Sequence, residues 1–283
     1  MTSVKDVFIK SLCKLDLLQY LNLSSRISIN GAKYRIPLLG GLGLNNLSSY
    51  ESWMTGILSQ VLSENKSFLD IGANVGQTLL RVKSMLQNID YYGFEPNPAC
   101  IYYLRKLTAL NQLSNITILP VAIAESTRVA KLFFAENDVD PAASIVEGFR
   151  KINGNGQESH IAVFAFKDII RSIEIDNIGV IKIDVEGAEL DVLRNLVEII
   201  REQRPYILIE ILPVYQSRNK KRLDKQESIE SLLKNLNYSI FRIIKQSNNN
   251  FKRLEKINSI GIHGDLSWCD YLLVPSEIES NFY

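Results

Sequence analysis

The chain has 283 residues, with 32 Lys and Arg against 31 Asp and Glu, 46% hydrophobic residues, 2 histidines and 3 cysteines. That apolar share supports a sizeable core and excludes a disordered chain, and a net charge of +1 gives no global reason to expect nucleic acid as a partner. His160 and His263 stand far apart without metal-ligating neighbours at short spacing, which argues against a histidine-rich zinc site and leaves carboxylates and a bound cofactor to carry any catalysis.

Residues 1–22 are apolar in a helical rhythm (Val4, Phe8, Leu12, Leu15, Leu18, Leu21), interrupted by Lys5, Asp6, Lys10, Lys14 and Asp16. The charges exclude a signal peptide and a membrane span. They leave a docking helix, with a membrane-surface anchor as the alternative; such a helix could also serve a homodimer. Residues 26–36 form two strand-like runs around Asn30-Gly31, a type I′ hairpin signal. The glycines of Leu38 to Asn46 lack the following lysine of a phosphate loop, so they read as a connector. We expect an N-terminal helix and hairpin extension over 1–49 and one main domain over 50–283. Cys13, Cys100 and Cys269 are scattered, with no CxxC, which fits a reducing cytoplasm.

From residue 67 short apolar runs alternate with helical stretches. Strands are predicted at 67–71, 91–94, 116–120, 180–183, 206–212, 239–244 and 271–274. Helices are predicted at 77–86, 98–110, 188–200 and 228–236. Strands apolar on both faces, alternating with helices, predict an α/β doubly wound sheet, with ligands at the C-terminal strand ends. The stretch 128–160 reads as a β-hairpin or inserted arm near that edge, of the kind that supplies selectivity. Residues 216–256 hold 11 Lys and Arg against 4 Asp and Glu. They read as a solvated helix and hairpin, or as a site for an anionic substrate.

The first predicted strand runs into Asp70-Ile-Gly72-Ala73-Asn74-Val-Gly76-Gln77. A dinucleotide fold would place glycines at 72, 74 and 77. Here Asn74 obstructs a pyrophosphate and Asp70 repels it. The pattern suits a cationic ligand instead, such as S-adenosylmethionine, whose ammonium Asp70 could bond directly or through water. Glu95, in Phe94-Glu95-Pro96-Asn97-Pro98, follows about twenty residues later, where a carboxylate can hold both ribose hydroxyls. Its alternative is a charge at a helix N-terminus.

These segments, with Ile181-Lys-Ile-Asp184-Val-Glu186-Gly-Ala-Glu189 and Arg204-Pro-Tyr-Ile-Leu-Ile-Glu210, resemble the FkbM family of S-adenosylmethionine-dependent methyltransferases. Order and spacing match from about Tyr50 to Pro275, most of the chain. The resemblance implies a class I methyltransferase Rossmann-like sheet, mostly parallel with an antiparallel last strand. It implies O-methylation of a small-molecule or glycan hydroxyl. Tyr50 and Glu51, in a similar segment, are implied to close over the cofactor's carboxylate end. Val121 and Ala122 are implied near the adenine. Gly72, Ala73, Asn74, Gly76, Glu95, Pro96, Asn97 and Asp184 complete the expected cofactor set.

Lys182 and Asp184 share a strand face, and a lysine there is costly unless paired. Asp184 should lie beside the reactive methyl, with Glu186 in the following turn and Glu210 at the next strand's exit. One of these carboxylates could take the proton of the attacking hydroxyl. Alternatively Asp184 and Glu210 could hold a divalent cation such as Mg²⁺. Glu189 reads as either part of the site or a helix N-terminal acid. His160 and His263 are candidate bases of lower standing. Two other readings stay open: a cofactor-binding scaffold without catalysis, and a nicotinamide oxidoreductase, which Asn74 in the glycine turn disfavours.

Overall fold

A computed structural model describes residues 23–47, 51–134, 143–146 and 158–282. The expected N-terminal helix, Tyr50 and much of the expected 128–160 arm lie outside these residues. The hairpin forms as expected, from β1 (Leu23–Ile29) and β2 (Ala32–Leu38). Asn30 and Gly31 take φ values of 49° and 82°, as a type I′ turn requires. Its apolar face, Tyr34, Ile36 and Leu38, packs on Val75, Leu80, Cys100, Tyr103 and Leu107. The Asn111 side chain accepts from the Arg35 N–H at 2.7 Å and donates to the Arg35 carbonyl at 2.8 Å, tying the hairpin edge to the main body.

The main sheet has eight strands. In chain order they are β3 (Ser67–Ile71), β4 (Tyr91–Phe94), β5 (Ile116–Leu119), β9 (Ile178–Ile183), β10 (Tyr206–Glu210), β11 (Tyr238–Lys245), β12 (Phe251–Ile257) and β13 (Asp270–Pro275). Their spatial order is β12-β11-β13-β10-β9-β3-β4-β5. The five strands from β10 to β5 run parallel. The last strand, β13, inserts antiparallel between β10 and β11, as expected. The chain winds outward through β4 and β5, then crosses back to place β9 beside β3. The two halves diverge there, opening a crevice at the C-terminal ends of β3 and β9.

Helices cover both faces: α1 (Trp53–Val61), α2 (Gln77–Met85), α3 (Pro98–Leu110), α4 (Phe166–Ile170), α5 (Glu189–Asn195), α6 (Val197–Gln203) and α7 (Lys220–Asn235). Two buried clusters sandwich the sheet, one centred on Ile71, Ile181, Ile183 and Leu193, the other on Phe68, Leu79, Val180 and Leu272. Pro98 sits in the first turn of α3, and the Asn97 side chain caps it by accepting from the Ala99 N–H at 2.9 Å.

Several boundaries differ from the sequence reading. The helix expected over 188–200 is two helices meeting at Leu196. α7 starts at Lys220 rather than Ser228. Its first turns are solvated and charged, so they carry no apolar period, and the start is set by Asn219, whose side chain accepts from the Arg222 N–H. β12 was not assigned as a strand, although it forms with β11 the hairpin expected within 216–256. It is an edge strand carrying Lys252, Arg253, Glu255 and Lys256, charges that protect an edge from further pairing but blur the strand pattern. The 128–160 arm begins and ends as a β-hairpin. β7 (Arg128–Phe133) pairs antiparallel with β8 (Glu158–Phe164), and β6 (Ala122–Ile123) joins β8 in a separate three-stranded sheet. Among the described residues no helix is long and apolar enough to cross a membrane.

Candidate active site

A cavity of about 790 Å³ opens at the C-terminal edge of the sheet, lined by the exits of β3, β4, β9, β10 and β11 and the start of β13. Its size is within the range of small-molecule sites. Six carboxylates face it (Glu51, Glu95, Asp184, Glu186, Glu210 and Asp270) against one lysine, Lys245. Such a lining favours a ligand with positive charge.

Gly72 turns the chain out of β3 at φ 91°. A Cβ there would lie 1.8 Å from the Asp184 carbonyl oxygen, so only glycine allows the β3 and β9 exits to approach so closely. The turn presents the Asn74 N–H, which donates to Glu95 Oε2 at 2.8 Å, while the Asn97 N–H donates to Oε1 at 2.8 Å. Both carboxylate oxygens are therefore fixed at the cavity wall. Burial pushes the Glu95 carboxyl up to about 7, against the two backbone donors. Beside it, Phe94, Pro96, Val121, Ala122, Ile123, Leu132 and Ile145 form an apolar wall that fits a flat heteroaromatic ring.

Asp70 is placed differently from the expectation. Its carboxylate is fully buried beneath the cavity rather than in its lining. The Tyr91 hydroxyl donates to Oδ2, and Lys182 Nζ lies 3.4 Å from Oδ1. Of the two expected modes, direct contact with a ligand ammonium does not fit this placement, because the Tyr91 hydroxyl and Lys182 are the groups against the acid. Lys182 also reaches Asp184 Oδ2 at 3.2 Å and the Gly72 carbonyl at 3.4 Å. Burial opposes its charge, but Asp184, Asp70 and Glu51 together raise its pKa. The lysine thereby links the first-strand acid to the cavity. Gly76 is the N-cap of α2, at φ 78°, and with Ala73 it shapes the turn without lining the cavity.

Asp184, Glu186 and Glu210 all face the cavity. Burial, reinforced by Asp184, Asp270 and Glu186, pushes the Glu210 carboxyl up to about 9. These surroundings favour the protonated form of Glu210. Glu51 is held at φ 58° and pushed up to about 7 by burial, with Lys182 pulling the other way. Glu189 turns away from the cavity and accepts from the Gly187 N–H at 2.7 Å, which is the helix N-terminal role. Neither His160 nor His263 lines the cavity. Among the described residues no group of three or more His, Cys, Asp or Glu has the geometry to hold a metal ion. A divalent cation on Asp184 and Glu210 would find no third ligand of these types among the described residues, so the geometry lends the expected metal no support.

The sequence reading missed Asp270, Lys245 and Trp53. Asp270 and Lys245 form an ion pair, and Lys245 Nζ lies 4.9 Å over the Trp53 ring. Only β13's antiparallel insertion brings Asp270, at a strand start, opposite Glu210 at a strand end.

The doubly wound sheet with its inserted antiparallel strand, and the acid-lined cavity at the switch point, are those of a class I methyltransferase domain. A family model described as the methyltransferase FkbM domain matches residues 70–240, and the chain belongs to that family. It is similar to the hexuronic acid methyltransferase AglP of Haloferax volcanii, 25% identical over 155 residues, which cover 55% of this chain and 59% of that protein. It is also similar to the methyltransferase sdnD of Sordaria araneosa, 26% identical, covering 48% and 62%. The chain thus spans about three fifths of the length of these curated relatives. A solved FkbM methyltransferase from Methylobacillus flagellatus aligns at a TM-score of 0.46 and 20% identity, covering 75% of this chain and 44% of that one.

Proposed function

We propose that the protein is an S-adenosylmethionine-dependent methyltransferase that methylates a hydroxyl oxygen on a saccharide or secondary metabolite. One observation carries this reading: carboxylates from three strand exits, Glu95, Asp184 and Glu210, line one cavity that also has an apolar wall. The residues fit the cofactor. Glu95 would accept both ribose hydroxyls, Phe94, Val121, Ala122 and Ile123 would enclose the adenine, and the acidic lining would favour the ammonium and sulfonium. The names of the relatives support methyl transfer, and that of the hexuronic acid methyltransferase supports a saccharide acceptor.

When bound, the cofactor supplies an electrophilic methyl group. This chain's residues orient the acceptor, exclude water and take the hydroxyl proton. The Asp184 carboxylate, steadied by Lys182 and by the protonated Glu210, is the proton acceptor in this reading. Closing the two substrates together supplies much of the rate, since the reaction disperses charge. Calorimetry with S-adenosylmethionine and S-adenosylhomocysteine tests the reading, and heat of binding is expected with both. Absence of binding by either ligand would overturn it.

A further inference from the structure

Six large hydrophobic side chains are strongly exposed among the described residues, and four of them gather at one lip of the cavity. These are Tyr215 at 50%, Ile262 at 47%, Leu266 at 58% and Trp268 at 41% exposure. Val214 and Ile262 form a parallel bridge, and the His263 N–H donates to the Val214 carbonyl at 3.1 Å. Tyr215 lies against Gly264, within 3.6 Å of the position of a Cβ there. The His263 and Trp268 rings sit 5.7 Å apart. Leu266 and Ser267 line the cavity itself, so the patch is continuous with the site.

The patch is held in place. The Arg242 guanidinium lies 5.1 Å over the Trp268 ring and donates to the Ile260 carbonyl at 2.7 Å. Asp265 accepts from both the N–H and the hydroxyl of Ser267, at 2.8 and 2.7 Å. Exposed polar side chains lie among the apolar ones: Asp265 and Ser267 stand beside Ile262, Leu266 and Trp268, while the ring nitrogens of His263 are buried. A surface meant for an alkyl chain would be apolar throughout. A pyranose ring has apolar C–H faces and a rim of hydroxyls, which matches this mixture. Exposed aromatic rings with a polar edge supply both kinds of contact.

We propose that Tyr215, Ile262, Leu266 and Trp268 form an acceptor platform that binds a pyranose unit beyond the one being methylated. The acceptor is then an oligosaccharide or glycoconjugate rather than a free monosaccharide. This rests on the methyltransferase reading for the site, and extends it from the reacting unit to its neighbour. Leu266, at the shared edge, lies where the two units join.

The test uses the full chain with bound S-adenosylhomocysteine on a printed array of neutral and uronic mono- to tetrasaccharides. Some glycans of two or more units should be retained about tenfold more strongly than their monosaccharides. Tyr215→Ala and Trp268→Ala should each lower that retention about tenfold, whereas Trp268→Phe, which keeps a stacking face, should retain most of it. Calorimetry should find S-adenosylhomocysteine affinity unchanged in all three variants. Failure of the wild type to bind that ligand counts against the methyltransferase reading, while the array reads the platform by itself. The platform is overturned if no saccharide is retained, if monosaccharides bind equally, or if the alanine variants bind like wild type. It is also overturned if sedimentation shows a dimer that Trp268→Ala splits, since the patch then joins two copies. Retention of alkyl glycosides regardless of sugar would overturn it in favour of a lipid.

Discussion

Asp70 and Lys182 form a buried ion pair across neighbouring strands, with Nζ 3.4 Å from Oδ1, and neither side chain lines the main cavity. The two residues are register partners on β3 and β9, the strands that flank the crevice. The pair therefore fixes the seam on which the site is built, and Lys182 passes its effect to Asp184. Lys182→Met should leave the Asp70 charge buried and uncompensated, destabilising the fold by about 3–5 kcal/mol. Adding Asp70→Asn to Lys182→Met should recover part of that loss. Chemical denaturation of the two single variants and the double variant measures the coupling.

Glu95 is the residue on which cofactor affinity should depend most directly. Glu95→Gln keeps the shape but gives up the ionised acceptor and misplaces a donor against two backbone N–H groups. Charged hydrogen bonds of this kind contribute about 2 kcal/mol, roughly 30-fold in affinity. Calorimetry with S-adenosylhomocysteine at about pH 8 should show that loss. In the wild type the same affinity should rise with pH through about 7, as Glu95 ionises.

Turnover should depend on the acid pair beyond it. Asp184→Asn should lower kcat about a hundredfold or more, the range of general-base contributions. Glu210→Gln should be milder, because a glutamine amide can replace the donor of a protonated carboxyl. Its cofactor affinity should change little. Exhaustive chelation should leave activity in place if Asp184 takes the proton unaided, as proposed; loss of activity restored by Mg²⁺ would instead assign the pair to a metal. Single-turnover assays with methyl-labelled cofactor separate these effects.

The buried acids also set how stability varies with pH. Glu51 and Glu95 are pushed up to about 7 and Glu210 to about 9, from ordinary values of 4.5. The folded state holds these protons after the unfolded chain has lost them. The associated stability is thus fully present below about pH 4.5 and is lost as pH rises through 7 and then 9. The Tm of the ligand-free protein should fall between about pH 5 and about pH 9. Glu210→Gln should flatten the upper part of that decline, which scanning fluorimetry can follow.

Gly72 offers a backbone test. Gly72→Ala puts a Cβ 1.8 Å from the Asp184 carbonyl at φ 91°. The β3 and β9 exits must then separate, at a cost above about 2 kcal/mol. Both thermal stability and cofactor binding should fall together, since the same turn positions the Asn74 N–H for Glu95.

The sequence by itself determined the strand alternation, the doubly wound class and the cofactor end of the site. These signals are local. Phe68, Leu69 and Ile71 are apolar because that strand is covered on both faces, with Asp70 the one charged exception, and the glycine turn and Glu95 stand at a fixed separation along one β-α-β unit. Asp184, Glu186 and Glu210 were legible as acids at strand ends for the same reason. The tertiary structure alone decided that Asp70 pairs with Lys182 beneath the cavity rather than lining it, because a side chain's neighbours across a sheet come from distant segments. It alone brought Asp270 opposite Glu210 and Lys245 against Trp53, since the antiparallel entry of β13 reverses which end of a strand meets the cavity. It also gathered Tyr215 with Trp268 at one lip. Burial, and with it the protonation of Glu210, depends on packing that no stretch of sequence contains.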